Sequence, residues 1–123
     1  MSRVTIPHDN WEVFLREFSR ERQGWGVRIE THDLETGEAV ISQEMRLSAV
    51  EFDLEDESTP RINVIVHIDN KTIKHIFVMP SELTLFPPRP GADEALHFRS
   101  SNTATTVHLR AAAGKRPSVD QVA

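Results

Sequence analysis

The chain has no cysteine among its 123 residues. That removes disulfides, thiol nucleophiles and thiolate metal sites together, and it suits a reducing cytoplasm. Glycine is scarce: five scattered positions supply neither a dinucleotide-binding pattern nor a phosphate-cradling loop. No serine sits in a Gly-x-Ser-x-Gly elbow, and none is tied by spacing to a particular histidine and acid. Long apolar runs are missing as well. The opening Met1-Ser2-Arg3-Val4-Thr5-Ile6-Pro7-His8 lacks the uninterrupted stretch of a secretory signal, and no later segment reaches membrane-spanning length. The expectation is a soluble cytoplasmic protein that makes no membrane contact. Basic clusters are also absent. With 14 basic side chains against 19 acidic ones, the net charge of −5 opposes the phosphate contacts on which nucleic-acid binding depends.

What is present points to a folded protein. A hydrophobic content of 38% over this length can bury a core without staples, so the composition argues against disorder of the whole chain. The clearest signal runs from Arg61 to Asp69 and from Thr72 to Met79. Apolar residues recur there at every second position on both sides of a turn at Asn70-Lys71, which predicts a β-hairpin with one buried face. Trp25, Val27, Ile29 and Thr31 alternate with Gly26, Arg28, Glu30 and His32, and Glu35-Thr36-Gly37-Glu38 supplies the turn of an earlier hairpin. The apolar phase then jumps from Met45, Leu47 and Ala49 to Val50, Phe52 and Leu54. Because side chains alternate faces strictly in a regular strand, the jump predicts a bulge near Ser48-Ala49.

Leu83 to Phe86 offers a short strand, and Pro87-Pro88-Arg89-Pro90-Gly91 reads as an extended, poorly hydrogen-bonded connection. A last hairpin pairs Ala95 to Ser100 with Thr105 to Arg110. Before all of these, Trp11, Phe14, Leu15 and Phe18 form the apolar stripe of a helix over residues 9–23. Asp9 and Glu12 offer a capping box at its start, and Gly24 a left-handed cap at its end.

The expected architecture is therefore α+β: an amino-terminal helix on a bent antiparallel sheet, or partly open barrel, of about six to eight hairpin-connected strands. Residues 1–111 are expected to form a single globular domain, with strands from residue 25 onward, and residues 112–123 a disordered tail.

Candidate chemistry is thin. If a turn centred on Asn102-Thr103 sets the last hairpin, His97 lies directly opposite His108, on the face away from the core, with Arg99 and Arg110 beside them. Opposed Cβ atoms there are about 4.5–5.5 Å apart. Two imidazoles can share a metal or clasp an anion, but a zinc site takes three or four protein ligands, so the plainer reading is a polar sheet face. His75 falls on the inward side of the central hairpin, in the register that buries Ile62, Val64, Val66 and Ile68 with Ile73, Phe77 and Met79. A hydrogen-bonded, neutral core histidine is the plainer reading there. His67 faces outward. Glu51, Asp53 and Glu55 form a carboxylate comb, yet their spacing does not match a calcium loop, and a solvated face accounts for them. Pro87-x-x-Pro90 fits a polyproline ligand only superficially; a stiff loop is the simpler account.

No catalytic residue, metal site or cofactor is assigned on this basis. The weak ligand-binding candidates are His75, His97, His108 and Arg99.

Ile6-Pro7 with Trp11 and Phe14, then Phe18-Ser19-Arg20-Glu21 and Gly24-Trp25, and much later Gly91-Ala92-Asp93-Glu94-Ala95-Leu96, resemble the small bacterial family known as domain of unknown function 5335. The resemblance runs from Ile6 to Arg110. It implies a bacterial origin and one compact domain, and it transfers no catalytic residue. Taken together, these readings favour a non-enzymatic binding or accessory module that works through protein contacts, a second copy of the chain included. The alternative is a small-molecule or metal binder, or a minor enzyme, with a histidine-lined pocket between helix and sheet.

Overall fold

The structure, a computed structural model, describes residues 3–111. A 3-10 turn (His8–Asn10) leads into one helix, α1 (Trp11–Glu21). Trp11, Leu15 and Phe18 are buried and Phe14 packs beside them, as the stripe requires. The expected Asp9–Glu12 capping box does not form. The tight turn carries the chain into the helix, so Asp9 sits inside it rather than at the cap, and the Asn10 N–H is satisfied by the Pro7 carbonyl at 2.9 Å. Gly24 does take the left-handed conformation, with φ 78°.

Among the described residues nine antiparallel strands form one sheet: β1 (Val4–Thr5), β2 (Gly26–Asp33), β3 (Ala39–Ile41), β4 (Met45–Asp53), β5 (Arg61–Ile68), β6 (Lys71–Val78), β7 (Pro80–Phe86), β8 (Glu94–Ser100) and β9 (Thr103–Arg110). Their order is β1-β7-β8-β9-β2-β4-β5-β6, with β3 beside β2. The sheet stays open but curls strongly. Phe77 of β6 meets Phe98 of β8, ring centroids 5.1 Å apart, although four strands lie between them in the order. The hollow of the curl is the core, filled by Val27, Ile29, Leu47, Val50, Ile62, Val64, Val66, Leu83, Leu96, Phe98, Val107 and Leu109, with α1 packed over β4. The bulge expected at Ser48-Ala49 is present between Leu47 and Ala49.

Three local expectations are corrected. The central turn is Asp69-Asn70, with Asp69 at φ 55°, and not Asn70-Lys71. Leu54 and Met79 are exposed, since β4 and β6 end just before them and Met79 turns back at φ 52°. The Pro-rich connection does make backbone hydrogen bonds. Pro90 and Gly91 (φ 81°) sit at the centre of a tight turn, where Arg89 and Ala92 bond each other at 3.1 and 2.9 Å.

Helix and sheet are joined in two places that no periodicity announces. β4 pairs with β2 only through Gly26 and Val27, which leaves its further edge open. Ser19 closes that edge: its hydroxyl accepts the Val50 N–H at 2.8 Å and donates to the Leu15 carbonyl at 2.7 Å, while the Gln23 amide reaches the Ser48 carbonyl. Ser19→Ala would strand a buried N–H. It is expected to lower the unfolding free energy by about 1–3 kcal/mol, measured by urea denaturation; an unchanged midpoint would show that the hydroxyl is dispensable. The second join is Arg22, at the helix end, which grips the buried Glu94 of β8 through Nε and a terminal nitrogen at 2.5 and 2.8 Å.

Candidate functional site

The convex face of the sheet, turned away from core and helix, gathers most of the polar candidates. Along β2 and β9 every second side chain faces out, so Arg28 lies opposite His108 and Glu30 opposite Thr106. The β8–β9 turn is the two-residue Ser101-Asn102, with Ser101 at φ 44°, which is shorter than the loop read from the sequence. The faces are unchanged but the partners slip. His97 pairs with Thr106 and His108 with Ala95, so the expected His97–His108 opposition is corrected.

His97 and His108 bond to different side chains. The His97 Nδ1 shares a hydrogen bond with the Thr106 hydroxyl at 3.0 Å. His108 and His32 each donate from Nε2 to one oxygen of Glu30, at 2.9 and 2.7 Å, because a carboxylate only accepts. Those two bonds, from His108 first, hold the Glu30 carboxyl below its usual range. Burial pushes His97 below the ordinary histidine value, and the nearby Arg99 adds to the effect. Arg99 itself reaches Glu82 at 3.3 Å on the exposed surface. Among the described residues, no group of three or more histidine, aspartate or glutamate side chains is placed to hold a metal ion.

Two hollows adjoin on this face. A groove of about 530 Å³ takes in Arg3, Arg28, Glu30, Arg89, His108 and Arg110; a smaller one of about 320 Å³ takes in His97 with Glu82 and Thr84. Arg3 and Phe86 line both. The alternation of β2 placed Arg28 and Glu30 outward. That β9 lies beside β2, and that the Pro-rich turn brings Arg89 to the same place, depends on long-range topology with no local signature.

The space between helix and sheet is different. Beneath α1 the core is solid, with Leu15, Phe18 and Val50 buried. The groove of about 700 Å³ alongside α1 and β4 carries carboxylates, Arg16, Arg20 and Lys74, and no histidine lines it.

His75 shares the inner face with Val64, as read from the sequence, but it is only half-buried, and its buried Nε2 has no hydrogen-bond partner among the described residues. Burial pushes its pKa down. His75 and His97 therefore both favour the neutral form in the fold. The unfolded chain takes up more protons below pH of about 6.5, so their contribution to stability is present above that pH and is lost as pH falls through the folded values. Thermal unfolding between pH 7.5 and 5.5 is expected to show stability declining with acid. His75→Leu, which replaces the unpartnered nitrogen with an apolar group, should raise stability by about 1 kcal/mol at neutral pH and flatten the decline. An unaltered slope would remove His75 from this account.

Residues 2–115 match the family of unknown function DUF5335. The chain belongs to that family. No curated protein and no solved structure matches this DUF5335 chain. Among its described residues, no helix is long and apolar enough to cross a membrane.

Proposed function

We propose that the protein is a non-enzymatic binding module of the bacterial cytoplasm, which takes up an extended, carboxylate-bearing segment of a partner protein along β6. The observation that carries this reading is uneven edge protection. Unpaired strand edges invite added strands, and folds usually blunt them. Here β1 and β3 are only two and three residues long. The open stretch of β7 carries Pro80, an irregularity between Ser81 and Thr84, and Glu82 at φ 58°. Ser19 and Gln23 cover β4.

β6 has neither the short length nor the breaks of these edges, and Lys71 and Lys74 are the charges that guard it. All eight of its residues pair in unbroken register with β5, it contains no proline, and among the described residues no strand lies on its other side. Ile76, Val78 and the adjoining Met79 are exposed. Strand addition of this kind draws affinity from main-chain hydrogen bonds and selectivity from alternate side chains. Lys71 and Lys74, with no carboxylate on the strand, favour an acidic partner, while the −5 charge of each chain disfavours a second copy.

The test is an NMR titration with a capped eight-residue peptide of alternating glutamate and valine. Amides of residues 71–78 are expected to shift, and the double variant Lys71→Glu/Lys74→Glu to bind more weakly. Shifts confined to another surface would overturn the reading. A dimer seen by light scattering and broken by Ile76→Lys would replace the acidic partner with a second copy.

A further inference from the structure

The groove on the convex face has a charge balance opposite to that of the chain. Four guanidiniums line it against two carboxylates, Glu30 and Asp93, within a protein of net charge −5. Both carboxylates are already engaged. Glu30 accepts from His108 and His32, and Asp93 lies 3.4 Å from Arg110. Arg3, Arg28 and Arg89 have no carboxylate within ion-pair distance among the described residues. Like charges gathered in one hollow raise the local potential and draw in an anion. Guanidinium groups in particular present paired donors that match the oxygens of a phosphate.

Beside them the lining is apolar: Phe86, Ile41, Ala95 and Pro87. Phe86 and Ile41 are among the exposed large hydrophobic residues of the chain, and no protein side chain needs them there for the core, which lies on the other side of the sheet. A hollow with a few convergent polar groups over apolar ground is the usual form of a small-molecule site.

We propose that this groove binds a small organic phosphate monoester, its dianionic head held by Arg3, Arg28 and Arg89 and its flat apolar body resting on Phe86. Glu30 accepts from His108 and so holds that imidazole in the wall of the groove. The site is independent of the β6 edge, since the two involve different strands.

Titrations of the full chain with phenyl phosphate, inorganic phosphate and succinate, read by calorimetry and by NMR, test the assignment. Phenyl phosphate is expected to bind and to shift amides of residues 28, 95 and 108. Arg28→Ala, at an exposed position that the core does not need, should weaken it by about tenfold, as the loss of a charge-assisted hydrogen bond predicts, and Phe86→Ala should weaken phenyl phosphate while leaving inorganic phosphate unchanged. Equal affinity for inorganic phosphate and phenyl phosphate would overturn the apolar-body assignment. Equal affinity for succinate would overturn the choice of phosphate. Absence of binding, or binding that Arg28→Ala leaves intact in a variant with an unchanged NMR spectrum, would overturn the site.

Discussion

Glu94→Ala is expected to lower the unfolding free energy by about 3–5 kcal/mol, because it leaves a largely buried guanidinium with only the exposed Glu21 carboxylate, 3.2 Å away, as counter-charge. The Arg22 side chain is 14% exposed and that of Glu94 7%. Burial works against the arginine charge, yet the hydrogen bonds and attraction of Glu94, with those of Glu21 added, outweigh it and hold Arg22 above its usual value. The guanidinium also lies 4.1 Å from the Phe18 ring centroid and 5.5 Å from that of Trp25, and it reaches the Phe18 carbonyl at 3.3 Å. Removing the carboxylate therefore strands a cation that cannot swing into water without abandoning those contacts. Glu94→Gln should lose less, since it keeps one acceptor. The double variant Arg22→Met/Glu94→Leu should recover most of the loss, because well-packed apolar groups can replace a buried pair at little net cost. Urea denaturation of the three variants decides it. A Glu94→Ala loss below that of an exposed ion pair would show that the pair is solvated rather than buried.

Phe98→Ala carries a loss of similar size, about 3–5 kcal/mol, from lost transfer energy and the cavity left behind. Phe98 is fully buried and lies where the two arms of the curl touch, edge-on to Phe77 at an interplanar angle of 75°. The cavity opens between β6 and β8, which are not hydrogen-bonded to one another, so little backbone pairing resists their separation. Faster hydrogen exchange in β6 should accompany the lower stability. A stability loss with unchanged β6 exchange would mean that the curl is held elsewhere, for instance by α1 against β4.

The parts of this fold that were legible in the sequence are those governed by side-chain alternation within one strand. The inward sets on β5, β8 and β9, the helix stripe and the bulge after Leu47 all follow from local period. Register did not. A two-residue turn with Ser101 in the left-handed region moves the partner of His97 from His108 to Thr106 while leaving every face unchanged, so the periodic signal was blind to it. Leu54 and Met79 kept the right phase but lay past the strand ends, where phase no longer implies burial. β1 is too short for any period to mark. The Arg22–Glu94 pair and the Ser19 bridge join residues 72 and 31 positions apart and depend on the helix being docked.

The candidate surfaces divide in the same way. Outward placement of Arg28, Glu30, His97 and His108 could be read locally. Their assembly into one groove with Arg3 and Arg89 required the order β7-β8-β9-β2, which no local pattern encodes. The openness of β6 likewise became visible only once every other edge had been accounted for.

Residue-resolved hydrogen exchange of β6, with and without the alternating glutamate–valine peptide, tests the central claim most directly. In the free protein, alternate amides of residues 71–78 should exchange fast, because one side of the strand has no partner strand among the described residues, while the Val50 amide on the covered edge of β4 stays slow. Saturating peptide should slow the fast set. Uniform protection of β6 in the free chain, or fast amides that the peptide leaves fast, would contradict the assignment of this edge as the binding surface.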